Sequence, residues 1–357
     1  MIQKNRLYYL DVLRIISSVF VIVIHICILN WGILSPNSLS WQALNIFDAL
    51  SQIAVPIFFM ISGALFLDDK KEISIKDIFF KRIFKLLVAY LVWSIVFVLI
   101  NPASSWSNAI YRVIQGHYHM WFIPALAGIY IIIPFLKAIT KSEKLTKYFL
   151  ILSVLFTFTL SFISPILKES SVGVFALIGN LLNILRTKLI FRFTLGYSGY
   201  FVFGYFLNKT EFSKSMRRII YIMGIAAALA TICFSYLISN SKGTPTDTFY
   251  SNTSLNILIS SVAFFVFAKY NLNCNNIKEK SHSKLVFLSK CTFGVYLIHP
   301  IFIELINKHL HINAVTVNPL LAVPLFTLTV AVLSYISSII LNKIPLISLR
   351  DYFICLS

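Results

Sequence analysis

About ten apolar stretches, each roughly 17 to 22 residues long, recur from one end of this chain to the other, and nothing else in the sequence constrains the fold as strongly. At about 1.5 Å of rise per residue, a helix made from any of them spans a hydrocarbon layer of roughly 30 Å. The approximate stretches are 13–30, 46–67, 84–101, 121–139, 147–164, 191–207, 218–239, 252–270, 287–307 and 319–342. With 58% hydrophobic and only 12% charged residues, the chain lies far from the roughly 25% charged residues of a water-soluble domain. Lipid offers the backbone no hydrogen-bond partners, so helices, which pair their own N–H and C=O groups, are the expected elements. The sequence therefore predicts an all-α, polytopic membrane helical bundle of about ten transmembrane helices, with residues 1–357 as a single membrane domain. The shorter apolar segment from Val172 to Leu185 carries Asn180 and Asn183, and reads as an interfacial or re-entrant piece.

The net charge of +18 raises the question of a nucleic-acid partner. A nucleic-acid footprint would cluster on a soluble module, and no such module is present. The cations instead sort by loop. With the N-terminus inside, Lys4, Lys70, Lys71, Lys76, Lys81, Arg82, Lys85, Lys137, Lys141, Lys144, Lys147, Lys209, Lys214, Arg217, Arg218, Lys278, Lys280 and Lys284 fall on the inner side, and Arg112, Lys168, Arg186, Lys188, Lys242 and Lys308 on the outer. That asymmetry follows the positive-inside rule and predicts that both termini are cytoplasmic. The first stretch lacks a small-residue cleavage site and begins with Asp11 and Arg14, so it reads as a retained anchor. Cys27, Cys233, Cys274, Cys291 and Cys355 show neither disulfide spacing nor a zinc pattern, and no metal is expected. Pro56, Pro124, Pro134, Pro300 and Pro324 fall in or near the stretches, where a missing N–H tends to kink a helix.

Ionisable side chains are costly at membrane depth and are candidates for function wherever they occur. Asp11 and Arg14 are three residues apart on one helical face and can pair. His25 follows in the same stretch, about 16 Å farther along a helix. His299 and Glu304 occupy the ninth stretch, with His299 at the depth that His25 has in the first. His117 and His119 precede the fourth stretch and can join a polar cluster in the outer half of the bundle. Each of these residues also admits a structural role: a satisfied histidine, an ion pair, or cations obeying the topology rule.

Four segments in order resemble acyltransferase family 3, the integral-membrane acyltransferases of surface glycans. They are Leu10-Asp11-Val12-Leu13-Arg14 with His25, Val55-Pro56-Ile57-Phe58-Phe59-Met60-Ile61-Ser62-Gly63, His119-Met120-Trp121-Phe122-Ile123-Pro124, and Thr292-Phe293-Gly294-Val295-Tyr296-Leu297-Ile298-His299-Pro300. The resemblance covers nearly the whole chain and matches the short form, without a fused extracytoplasmic esterase-like domain. One departure stands out: the family's cytoplasmic RxxR motif reads Arg82-Ile83-Phe84-Lys85 here. Lysine offers a point charge where arginine offers a planar fork.

What the resemblance implies is an O-acyltransferase of the bacterial inner membrane. It would move an acyl group, acetyl as the expected one, from acetyl-CoA or another acyl-CoA to a glycan or lipid-linked sugar hydroxyl. Arg14, Arg82 and Lys85 are then the expected grip on the coenzyme phosphates. His25 is the expected general base or, alternatively, the site of an acyl-histidine intermediate, and His299 or a tyrosine is the expected orienting group. A succinyl group would call for a cation near His25, for which the sequence offers Arg192, while Tyr197 and Trp106 suit a sugar. Membrane lipid surrounds the bundle, and a second copy or glycan-assembly proteins are the candidate protein partners. Two other classes remain open from the residues alone: a carrier or flippase for a glycan precursor, and a catalytically inert scaffold.

Overall fold

A computed structural model describes residues 6–68, 73–170, 172–188, 195–272 and 279–343. Every regular element among the described residues is a helix. Helix α1 (Tyr8–Trp31) is followed by α2 (Leu39–Ser51) and α3 (Ala54–Phe66), and a π-helical turn, Asp77–Ile83, runs into α4 (Phe84–Ile100). Helix α5 (Trp106–Gln115) and a 3-10 turn (Tyr118–Trp121) lead to α6 (Phe122–Ile131) and α7 (Ile133–Thr140). Next come α8 (Glu143–Leu152), a second π-helical turn (Ser153–Thr159), α9 (Leu160–Lys168) and α10 (Gly173–Lys188). The chain continues through α11 (Tyr197–Lys209), α12 (Lys214–Lys242), α13 (Leu255–Asn271), α14 (Glu279–Leu310) and α15 (Pro319–Leu341).

Among the described residues, 7 helices are long and apolar enough to cross a membrane, or 8 when the bent α6–α7 pair counts as one span. Helix α13 is apolar but shorter, and α11 holds 13 residues. The exposed and buried faces show why the chain belongs in lipid. On α12 the buried positions are Gly224, Ala227, Thr231, Ser235 and Ser239, whereas Ile219, Ile222, Met223, Ile225 and Leu229 are exposed. On α15 the buried face includes Ala322, Thr327, Ala331, Ser334 and Ser338, and the exposed face Leu321, Leu325, Leu328, Val332 and Ile336. In water this arrangement would leave the most hydrophobic side chains in the wrong solvent. In a bilayer, small residues allow close helix contact and hydroxyls bond across helices. The Ser338 hydroxyl donates to the Cys291 carbonyl (2.9 Å), joining α15 to α14, and the Asn256 amide donates to the Thr231 hydroxyl (2.9 Å), joining α13 to α12. The protein is a multi-pass membrane bundle.

Helix α1 packs against α2, α3, α14 and α15, which makes it the element around which the site is organised. Helix α3 is held against α11 by two reciprocal glycines. A Cβ on Gly63 would lie 1.7 Å from the Phe201 carbonyl oxygen, and one on Gly204 would lie 1.8 Å from that of Met60. The prolines divide into two groups. Pro56, Pro124 and Pro134 stand in the first turns of α3, α6 and α7, where no intrahelical N–H is lost. The α6–α7 break still bends the path by 57°. Pro300 and Pro324 lie inside α14 and α15 and do remove an internal bond. The segment read as interfacial or re-entrant forms α10, packed on α9 so closely that a Cβ on Gly179 would lie 2.2 Å from the Lys168 nitrogen. Helix α5 falls outside the ten predicted stretches because its apolar residues cover only one face, and none of its residues is buried.

Candidate active site

Three imidazoles from distant parts of the chain meet beside α1. His25 on α1 stacks on His299 of α14, with ring centroids 5.1 Å apart and planes 29° from parallel. His119, from the 3-10 turn before α6, stands 5.4 Å from His299 and 6.3 Å from His25. Local sequence sets each ring. The His299 Nδ1–H donates to the Val295 carbonyl one turn earlier (3.1 Å), which leaves Nε2 as the lone-pair nitrogen. Pro300, lacking an N–H, leaves the Tyr296 carbonyl without its helical donor, and that carbonyl also lies against the His299 ring. The Tyr296 hydroxyl donates to the His119 carbonyl (2.6 Å), tying the 3-10 turn to α14.

His299 and His119 are buried at 0% and 2% exposure, while His25 is half-buried. Three of their nitrogens, His25 Nδ1, His119 Nε2 and His299 Nε2, are buried without a hydrogen-bond partner. Each such orphan costs about 1–3 kcal/mol. Ordinary packing does not collect three of them in one place, whereas a site that must receive a reacting group does. From His119 the polar chain continues outward. Its Nδ1 is 2.9 Å from His117 Nδ1, and His117 Nε2 is 3.0 Å from Glu304 Oε1. His117 lies flat on Phe97 (4.0 Å, 7°), and the Asn101 side-chain amide donates to Glu304 Oε2 (3.1 Å).

The cationic residues gather toward the other end of α1. Arg14 is buried at 4% exposure, with Nη1 3.5 Å from Asp11 Oδ1. The predicted Asp11–Arg14 pair is present but shared, because Arg6 holds Asp11 with two bonds, from Nε at 2.7 Å and Nη2 at 2.9 Å. Two guanidinium groups thus share the Asp11 carboxylate. The Arg82 guanidinium lies 4.5 Å over the Phe66 ring, Phe66 packs on Tyr130 (4.9 Å), and Tyr130 is in electrostatic range of Arg14. Arg14 and Arg82 therefore flank one aromatic pair. Arg82 sits near the end of the π-helical turn, an irregularity common at functional sites. Lys85 follows it in the first turn of α4 and is half-buried, whereas Lys81 is engaged by Asp77 at 2.6 Å.

A family model described as an acyltransferase domain matches residues 7–341. The chain belongs to acyltransferase family 3. No curated protein and no solved structure gave a match. Membership makes this chain a membrane acyltransferase.

Between the two clusters lies a small cavity with an apolar lining, including Val21, Val55, Phe58, Phe122 and Phe293 of the acyltransferase. Val21 stands between Arg14 and His25 on α1, and Tyr296, also lining the cavity, precedes His299 by one turn. Of the residues that suited a sugar, Tyr197 packs near the half-exposed Trp121 (5.7 Å) beside Phe59 (4.7 Å), whereas Trp106 is 87% exposed on α5. Arg192 lies outside the described residues. Among those described, no group of three or more His, Cys, Asp or Glu side chains is arranged to hold a metal ion. Sequence reasoning missed Arg6 as a partner of Asp11 and the pairing of His117 with Glu304. Arg6 carried a signal, since it precedes Asp11 near the start of the helix. Shared depth had put His117 and Glu304 in one outer polar cluster, but nothing in the sequence singled out their direct contact.

Gly116 closes α5 with φ 72° and ψ 170°, a conformation essentially restricted to glycine. A Cβ there would also meet the Tyr90 hydroxyl at 2.5 Å, and that hydroxyl donates to the Ile114 carbonyl (2.9 Å). Because Gly116 directly precedes His117, Gly116→Ala is expected to move the histidine segment and lower acyl transfer about tenfold or more, consistent with about 1–3 kcal/mol of backbone strain. Steady-state rates on folded protein check it, and wild-type activity would show that the turn is not needed to hold His117.

Proposed function

We propose that this acyltransferase moves an acyl group, acetyl as the expected one, from acyl-CoA to a hydroxyl of a cell-surface or cell-wall glycan. The observation that carries the reading is the meeting of three imidazoles with unpartnered buried nitrogens on the helix whose other end holds buried Arg14. Arg14, with Arg82 and Lys85, would hold the coenzyme phosphates at the cytoplasmic face through charge-assisted hydrogen bonds. The pantetheine arm would then have to part the helices beside Val21, where the cavity holds about one water, to reach His25, about 16 Å away along α1. Aromatic residues at Trp121 and Tyr197 offer the acceptor a face to stack on. This reading places the protein in the bacterial inner membrane, with both termini cytoplasmic and residues 1–357 as one domain.

The chemistry asked of His25 is removal of the acceptor hydroxyl proton as its oxygen attacks the thioester carbonyl. Histidine suits that role near neutral pH. The new ester C–O bond forms, the C–S bond breaks, and the proton taken by His25 ends on the coenzyme thiolate. His299 stacks on His25 and would hold its orientation.

Purified protein in detergent or nanodiscs, given acetyl-CoA and candidate glycan acceptors, is expected to release free coenzyme A thiol only when an acceptor is present. Transport of the acceptor without any acyl donor would overturn the reading in favour of a carrier. Arg14→Gln is expected to raise KM for acetyl-CoA about 10- to 100-fold, the equivalent of one lost hydrogen bond to a charged group at about 1.5–3 kcal/mol, with kcat little changed. An unaltered KM would remove Arg14 from the donor site.

A further inference from the structure

With His117 neutral, the contacts running outward from His119 define a directed chain of hydrogen bonds. An ionised carboxylate only accepts, so His117 Nε2 carries a hydrogen toward Glu304 Oε1 at 3.0 Å. In neutral His117 the other nitrogen, Nδ1, is then an acceptor. The 2.9 Å contact between the two Nδ1 atoms therefore takes its hydrogen from His119. His119 is left with its lone pair on Nε2, the atom that is buried without a partner, in a ring beside His25 and His299. The Leu297 carbonyl also lies against the His119 ring, and a carbonyl by itself would favour a hydrogen directed at it. The Glu304 anion, acting through His117, selects the Nδ1–H tautomer.

We propose that Glu304 and His117 are positioning residues of the acyltransferase that fix the tautomer of His119 and receive positive charge during the reaction. This rests on the acyl-transfer reading above. When His25 takes the acceptor proton, His119 Nε2, which no hydrogen bond joins to His25 directly, can share it through a bridging water. The Nδ1 hydrogen of His119 then shifts to His117 Nδ1, and the charge comes to rest as an imidazolium beside the Glu304 carboxylate. As the C–S bond breaks, the shifts reverse and His25 delivers the proton to the coenzyme thiolate. No proton is gained or lost overall. Phe97, flat against His117, and Asn101, bonded to Glu304 Oε2, hold the outer end of the chain in place. Asn101 is in turn fixed by Arg112, whose Nη1 donates to its backbone carbonyl at 2.7 Å.

Glu304→Gln tests this with little change of shape. Where the Asn101 amide keeps its orientation and donates at the Oε2 position, the glutamine turns its oxygen toward Asn101 and its NH₂ toward His117. His117 Nε2 then accepts, its Nδ1 donates, and His119 is forced into the Nε2–H tautomer with no lone pair at the site. The expected result is a fall in kcat of about 10²-fold or more, the scale of a positioned acid–base group, with KM for acetyl-CoA unchanged. Glu304→Asp, which keeps the anion, should recover at least tenfold of that loss. Solid-state nitrogen-15 spectra of histidine-labelled protein should show His119 as the Nδ1–H tautomer in the wild type and Nε2–H in Glu304→Gln. Thermal stability of each variant separates these effects from misfolding. A folded Glu304→Gln protein with kcat within threefold of wild type would overturn the proposal, as would an unchanged His119 tautomer or an aspartate variant no better than the glutamine. The tautomer measurement needs no substrate. Wild-type protein that releases no coenzyme A with any acceptor would sink the acyl-transfer reading separately.

Discussion

Replacing His25 by alanine is expected to cut kcat for acyl transfer by about 10²- to 10⁴-fold, the range a positioned general base supplies, while leaving the protein as stable as the wild type or slightly more so. The second half of that expectation distinguishes a catalytic group from a structural one. His25 Nδ1 is buried without a partner, and such an orphan costs the folded state about 1–3 kcal/mol. Alanine removes that cost together with some packing against His299. A histidine retained only for packing would give the reverse pattern, lowering the melting temperature and sparing the rate. The measurement is kcat on acetyl-CoA and acceptor, paired with thermal unfolding of the same detergent-solubilised sample. A folded alanine variant with a rate within threefold of wild type would exclude His25 as the base.

The largest effect on the folded state is expected from Gly63→Ala. The added methyl would sit 1.7 Å from the Phe201 carbonyl oxygen and 2.5 Å from its carbon. Both partners are backbone, so neither can rotate away, and α3 and α11 must separate by more than 1 Å on the order of an ordinary carbon–oxygen contact. Overpacking of this kind costs about 1–3 kcal/mol and sometimes more, and here the upper end applies. Gly204→Ala should behave alike, because its Cβ would meet the Met60 carbonyl oxygen at 1.8 Å. The two changes strain one interface and should not add. Gly128→Ala is the control, with no atom within 4 Å of its added carbon. The folded, monodisperse fraction after heating reports the outcome. If Gly63→Ala survived heating as well as Gly128→Ala, the two helices would not approach this closely.

The glycine pair also shows how sequence motif and structure relate. The resemblance singled out the segment ending in Ser62-Gly63 without giving a reason for its glycine. The reason lies on α11, and no spacing within the segment points there. The prolines are similar. Pro56, Pro124 and Pro134 all occupy first turns and interrupt no bonds of their own helices, and of the three Pro134 lies at the 57° break. A proline removes one N–H wherever it stands, but only the boundaries of the helix decide whether that N–H was needed.

What the sequence determined by itself is the solvent and the spacing. Apolar length fixes lipid-crossing helices because the hydrocarbon layer has one thickness and a helix has one rise per residue. The separation of Arg14 from His25 follows from the same local geometry, so their different depths on one helix were legible before any packing was known. Only the tertiary structure decided which groups meet. His25, His119 and His299 come from α1, a 3-10 turn and α14, and Arg6 takes the better geometry on Asp11. Glu304 reaches His117, and through it His119, across the α14 interface with the loop after α5. Periodicity reports which way a side chain faces around its own helix. It carries no information about the rotation and sliding of one helix against another, which here were settled by close contacts such as the one between Gly63 and Phe201.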